Sequence, residues 1–181
     1  MSNRNDDLKA IHQATEQLQG LRVKYWLEHD LFSWMWWFLL VLTVIPWVIW
    51  WKFSDKQRLS EIVSFGAIVA LISAFLDTIG TINSWWMYKH ELLMQFPGFI
   101  PADMADIPVT YMLTYQYCKT WKSFLMVLAG VSFLFSFVVE PGFVVIDLYS
   151  PFTWAYFYSF IIYVLMGMIV RFVVQKMQST R

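Results

Sequence analysis

Five stretches of this 181-residue chain, at 32–51, 62–82, about 107–117, 124–139 and 154–174, are apolar runs of the kind that cross a bilayer. A helix of about 20 apolar residues covers the ~30 Å hydrocarbon core, and a helix satisfies its own backbone hydrogen bonds there. Composition agrees: 59% hydrophobic, 20% aromatic and only 14% charged residues are too apolar for a soluble domain of this length. The expected fold is therefore all-α, an integral membrane bundle of five transmembrane helices with an N-terminal amphipathic helix. The third stretch, within "IPVTYMLTYQYCKTW", is short and threonine-rich, and is kept as a span because the charge topology needs it. Pro46 inside the first is expected to kink it, which a packed bundle tolerates.

Three segments follow: an N-terminal piece over 1–30, the transmembrane domain over 31–176, and a tail over 177–181. The first piece carries "NRNDDLK" and "TEQLQGLRVKYWLEHD", a charged run unlike a signal peptide. Its apolar residues Leu8, Ile11, Leu18, Leu21 and Tyr25 fall roughly on one helical face. Such a helix lies at the membrane interface, pairs with a partner or with a second copy in a homo-oligomer, or stays a solvated tail. Lys52, Lys56, Arg58, Lys119, Lys122, Arg171, Lys176 and Arg181 share one side when five spans are counted, while Lys89 lies opposite with Glu91, Asp103, Asp106, Glu140 and Asp147. Basic loops stay inside, which places the C-terminus in the cytoplasm and the N-terminus outside.

Several function classes are set aside. With 13 basic and 13 acidic residues nothing argues for nucleic acid, and the single Cys118 can form no internal disulfide or thiolate metal cluster. No nucleophile motif, phosphate loop or nucleotide fingerprint occurs, so no cofactor is expected. His90 beside Glu91 is a candidate proton shuttle or single metal ligand, but one histidine in the outer loops makes no metal site. Tryptophan and tyrosine crowd the ends of the apolar runs, as Trp34, Trp36, Trp37, Trp85, Trp86, Tyr88, Trp121, Trp154, Tyr156 and Tyr158. They read as an aromatic belt at the headgroups, with an aromatic-lined lipid pocket as the other reading.

The residue that breaks the pattern is Asp77. Three or four positions apart along its helix stand Gly66, Ala70, Ser73, Asp77, Gly80 with Thr81, and Ser84, a small and polar face that should pack inward. Carboxylates within a span face the bundle or a water-filled cavity. Asp106 with Thr110 and Thr114, Ser132 with Ser136 and Glu140, and Ser159 with Tyr163 supply polar faces on other spans. These predict an outward-opening binding cavity around Ser73, Asp77, Thr81, Ser84, Asp106, Thr110, Glu140 and Tyr163, roofed by "KHELLMQFPGFIPADMADIP". Clustered carboxylates in a low dielectric oppose one another's ionisation, so at least one should keep a proton to donate. Asp77 is then a functional acid or a packing residue that bonds Ser, Thr or Trp groups, and Glu140, beside Pro141 and Gly142, reads as a helix-boundary residue.

Two resemblances follow from these motifs. The whole chain, with "LDTIGTINSWWMY", the Pro-Asp lid, "EPG" and "WAYFYS", resembles an uncharacterised family of small five-span membrane proteins of spore-forming bacteria. That likeness implies the fold and the bacterial cytoplasmic membrane, and no activity. Residues 77–108, with Asp, Gly, Trp-x-Tyr and Pro-x-acid, are similar to small membrane lycopene cyclases, which protonate a polyene with carboxyl groups. This likeness implies Asp77 and Asp103 as acid and cation stabiliser, although "PADM" puts Met104 where that family has a second acid. The expected function is a membrane protein binding lipid or a membrane partner through its polar cavity. The alternative is a cofactor-free enzyme acting on an isoprenoid; a transporter ranks third because no inverted repeat is visible.

Overall fold

The computed structural model describes residues 3–96 and 98–179; Pro97 of the expected lid and Arg181 of the expected tail lie outside them. The helices are α1 (Arg4–Tyr25), α2 (Trp34–Phe53), α3 (Leu59–Ile82), α4 (Ile107–Tyr117), α5 (Trp121–Leu134), α6 (Glu140–Val145) and α7 (Tyr156–Gln178). Wide π turns lead from α1 into Trp26–Asp30, into α4 from Ala102–Asp106, and from α5 into α6 across Phe135–Val139.

Among the described residues, four helices are long and apolar enough to cross a membrane: Trp34–Phe53, Lys56–Ile82, Trp121–Val145 and Tyr156–Gln178. The chain is a helical membrane protein. Apolar side chains such as Val41, Val48 and Trp51 of α2 and Leu71 and Phe75 of α3 are exposed, a disposition suited to lipid rather than water. α2 continues through Pro46 without a break. The third of these helices, Trp121–Val145, also runs further than the apolar run suggested. Pro141 offers no N–H and its ring crowds the preceding turn, and the π turn before it widens the helix so that it continues to Val145.

The expected third span is different. α4 has 11 residues, about 16 Å of helix, too short for the hydrocarbon core. It stands instead at the centre, with Val109, Tyr111, Met112 and Tyr115 buried and α2, α3 and α5 packed against it. Gly66 lets α3 approach, since a Cβ there would fall 2.4 Å from Met112 Sδ. Because protein rather than lipid surrounds α4, its polar groups find partners: Thr114 Oγ1 donates to Thr110 O at 2.8 Å, and Gln116 Nε2 donates to Phe53 O at 2.8 Å.

Both ends of α4 are closed by side chains from the long helices. Pro108 cannot donate to Met104 O, and the Trp47 indole N–H does so instead at 2.9 Å. At the other end Arg171, only 2% exposed, donates to Cys118 O at 3.0 Å and Lys119 O at 2.8 Å. Its guanidinium lies 4.4 Å from the centre of the Phe124 ring and 4.9 Å from that of Trp121. Arg171 therefore caps the carbonyl end of a helix, where a cation is favoured, in addition to marking a basic flank.

Contacts between these elements show that α2, α3, the 102–117 segment, the α5–α6 helix and α7 alternate in direction. Tyr115 near the end of α4 bonds Glu61 near the start of α3, whereas Ser73 further along α3 bonds Asp103 just before α4. At the Asp77 end, strands β1 (Trp86–Tyr88) and β2 (Tyr149–Pro151) pair antiparallel, with Trp86 opposite Pro151 and Tyr88 opposite Tyr149. This ribbon ties the loop after α3 to the loop before α7. The C-terminal end of α1 is tied to the same end: Arg22 holds Glu91 through two bonds of 2.8 and 2.9 Å, and Trp26 Nε1 donates to Glu91 O at 2.9 Å.

Candidate functional site

Asp77 is buried in α3, and three donors converge on its carboxylate. Trp86 Nε1 at 2.7 Å and the Tyr88 hydroxyl at 2.9 Å donate to Oδ1, and the Phe99 N–H donates to Oδ2 at 2.6 Å. Trp86 and Tyr88 reach the same acid because alternate strand residues share a face. Gly80, one turn beyond Asp77, makes the approach possible: a Cβ there would fall 2.0 Å from Trp86 Cη2.

Asp103 approaches from the π turn before α4. Its Oδ1 accepts from Ser73 Oγ at 2.6 Å, and its Oδ2 is buried and receives no N–H or hydroxyl among the described residues. A Cβ built on Gly98 would lie 2.8 Å from Asp77 Oδ2 and 2.9 Å from Asp103 Oδ2, so both acids turn one oxygen toward the same point. Only glycine leaves that point open.

These acids line a cavity of about 140 Å³ together with Asp106, Glu140 and the rings of Trp86, Tyr88, Tyr149 and Trp154. Glu140 is held by Ser159 Oγ at 3.0 Å and Tyr163 OH at 3.1 Å, and Trp154 Nε1 donates to the same Ser159 oxygen at 2.9 Å. Glu140 thus lies inside the continuous α5–α6 helix facing α7, and is not the boundary residue that Pro141 suggested. The Asp106 carboxylate accepts no hydrogen bond among the described residues. Among the described residues, four carboxylates and no Lys, Arg or His border the cavity. Outside the spans, burial holds the Tyr88 hydroxyl well above its usual titration range, so it stays a neutral donor.

The cavity gathers Ser73, Asp77, Asp103, Asp106, Glu140 and Tyr163 from the expected set and leaves out three. Thr81 bonds back along its own helix, to Asp77 O and Thr78 O at 3.0 Å each. Ser84 is exposed, in a left-handed turn (φ 55°) that redirects the chain from α3 into β1. The backbone carbonyl of Thr110 receives the Thr114 hydroxyl, and the residue lies beyond the cavity on α4. His90 is also elsewhere, 2.6 Å from the buried Asp30 carboxylate. No group of three His, Cys, Asp or Glu suited to a metal ion occurs among the described residues.

The sequence offered Trp86, Tyr88 and Trp154 as part of a headgroup belt or as the lining of a lipid pocket; all three line the cavity, and Trp86 and Tyr88 also hold the acid. The signal for two of them was present in "WMY", whose alternation puts Trp86 and Tyr88 on one side of a strand. Phe99 and Tyr149 had no such signal, whereas Ser159 was marked by its spacing from Tyr163 on a polar helix face. Neither a family model nor a curated protein nor a solved structure matches this chain.

Proposed function

We propose that this chain is a multi-pass binding protein that takes a lipid or another small membrane-soluble ligand into the acid-lined cavity. The observation that carries this reading is Asp103 Oδ2, a buried acceptor that receives no N–H or hydroxyl among the described residues and faces only the Asp77 carboxylate, in a cavity walled by aromatic rings. Buried polar atoms are nearly always bonded, and an exception marks a place where something else is held. Asp77, with three donors, supports the wall.

The same reading takes the 102–117 segment as the third of five crossings, completed by its burial among the long helices. The basic residues at the Glu61 end then face the cytoplasm of a bacterial cell, and the cavity opens outward. The apolar face of α1 rests on the outer membrane surface or against a partner.

The test is lipid extraction and mass spectrometry of the purified protein beside Asp103→Asn. Wild-type protein should retain a ligand that the variant loses while its unfolding curve is preserved. A wild-type protein free of any specific molecule would overturn the reading.

A second reading has its own support in the facing Asp77 and Asp103 oxygens. One proton shared between them can pass from Asp103 to an alkene carbon of an isoprenoid, leaving a carbocation facing the rings and the remaining carboxylates. Loss of a proton from a neighbouring carbon would return the acid to its starting state without redox change. A co-purifying polyene, isomerised or cyclised on incubation, would favour this reading over simple binding.

A further inference from the structure

We infer that the ligand of this cavity carries an ammonium group. The inference rests on the binding reading above and names the chemistry that the walls select. Asp77, Asp103, Asp106 and Glu140 border the space, and among the described residues no basic side chain does. Carboxyls gathered in a low dielectric oppose one another's ionisation, and an incoming cation supplies the countercharge that lets them ionise.

Three features favour an organic cation over a metal ion. The acids come from different elements: Asp77 from α3, Asp103 and Asp106 from the turn before α4, and Glu140 from the start of α6. No three of them gather closely enough to hold a metal among the described residues. The space between them is instead walled by rings: Trp154 crosses Trp86 edge-on at 4.8 Å between centres and stacks on Trp85 at 5.3 Å. Indole and phenol faces attract alkylammonium groups, which shed water more readily than metal ions do.

The acceptors still open match this cargo. Asp103 Oδ2 faces the Asp77 carboxyl and receives no N–H or hydroxyl, and the Asp106 carboxylate has no hydrogen bond among the described residues. Asp77 and Glu140 are already bound to Trp, Tyr and Ser donors and serve as fixed negative wall. A volume of about 140 Å³ suits a headgroup-sized cation, being near that of a cavity that holds benzene. A free amine and a lipid headgroup present the same ammonium chemistry.

Binding is measured by calorimetry on the full chain in phosphatidylglycerol nanodiscs, with choline and its neutral isostere 3,3-dimethylbutan-1-ol as probes. A parallel arm dopes the bilayer with phosphatidylcholine and follows tryptophan fluorescence. Choline or phosphatidylcholine should bind at least about tenfold more tightly than the neutral alcohol. Response to choline alone identifies a free amine, and response to phosphatidylcholine alone a lipid headgroup. Asp106→Asn, which disturbs no hydrogen bond, should weaken the cationic probe and leave the neutral one unchanged. Equal affinity for probe and isostere would overturn the ammonium inference while leaving a binding cavity. Failure of both cationic probes, with a neutral lipid still co-purifying, would do the same. Failure of the probes together with an empty extract would overturn the binding reading as well.

Discussion

Replacing Gly80 by alanine tests how the acid is held. The added Cβ would sit 2.0 Å from Trp86 Cη2 and Cζ2, more than 1 Å inside ordinary carbon contact, and 2.6 Å from Cε2. The indole has little room to retreat, because its N–H is bonded to Asp77 and its ring crosses Trp154 at 4.8 Å. Overpacking costs about 1–3 kcal/mol and losing a hydrogen bond to a charged acceptor about 1.5–3 kcal/mol. Alanine's helix propensity returns about 1 kcal/mol, so the net loss should be roughly 1.5–5 kcal/mol. Unfolding in mixed micelles of the four proteins in a Gly80→Ala, Trp86→Phe cycle measures it. A phenyl ring lacks the benzo atoms that collide, so in the Trp86→Phe background Gly80→Ala should be neutral or mildly stabilising. A wild-type background that tolerates alanine, or an equal cost in both backgrounds, would refute the account of Trp86 lying over Gly80.

Asp77→Asn should destabilise by about 1–3 kcal/mol, because one amide oxygen cannot serve three donors and the new NH2 would meet another N–H. Asp103→Asn should instead be neutral or stabilising in the same assay, its NH2 standing where Oδ2 faces Asp77 Oδ2; equal losses for both variants would argue against this geometry. Burial raises the Glu91 carboxyl above its ordinary value while Arg22 opposes that rise. A raised folded value contributes stability below the unfolded pKa of about 4.3 and loses it as pH climbs through the folded one, so Arg22→Ala should cost more at pH 8 than at pH 4 in thermal unfolding. Single cysteines at Asn83 and Lys56 should be labelled by an impermeant thiol reagent from opposite sides, Asn83 from outside; the reverse pattern would overturn the proposed orientation.

The long helices were legible because hydrocarbon demands a continuous apolar run, and Phe32 to Trp51 or Ile62 to Ile82 can mean little else. Asp77 was legible as the exception on a face of small residues. α4 was harder, since a helix wrapped in protein is freed from the composition that lipid imposes. Its end caps, Trp47 and Arg171, are contributed from far along the chain. Thr81 and Ser84 share the Asp77 spacing, yet one bonds its own helix and the other leaves it at a left-handed turn; spacing shows neither. The pairing of Trp86 with Pro151 depends on two loops meeting, and helical periodicity is silent about loops.

The position of α4 bears on how the chain enters a bilayer. A segment of 11 residues carrying Thr110, Thr114 and Gln116 has little drive to leave the insertion machinery for lipid by itself. It gains its hydrophobic surroundings only when α3 lies beside it and α5 and α7 have emerged. Arg171, which closes the end of α4, is made more than fifty residues later. Biogenesis should therefore be concerted from α3 onward, with a ribosome-bound chain ending near Tyr117 holding its last helix at the membrane surface until the C-terminal helix arrives to receive it.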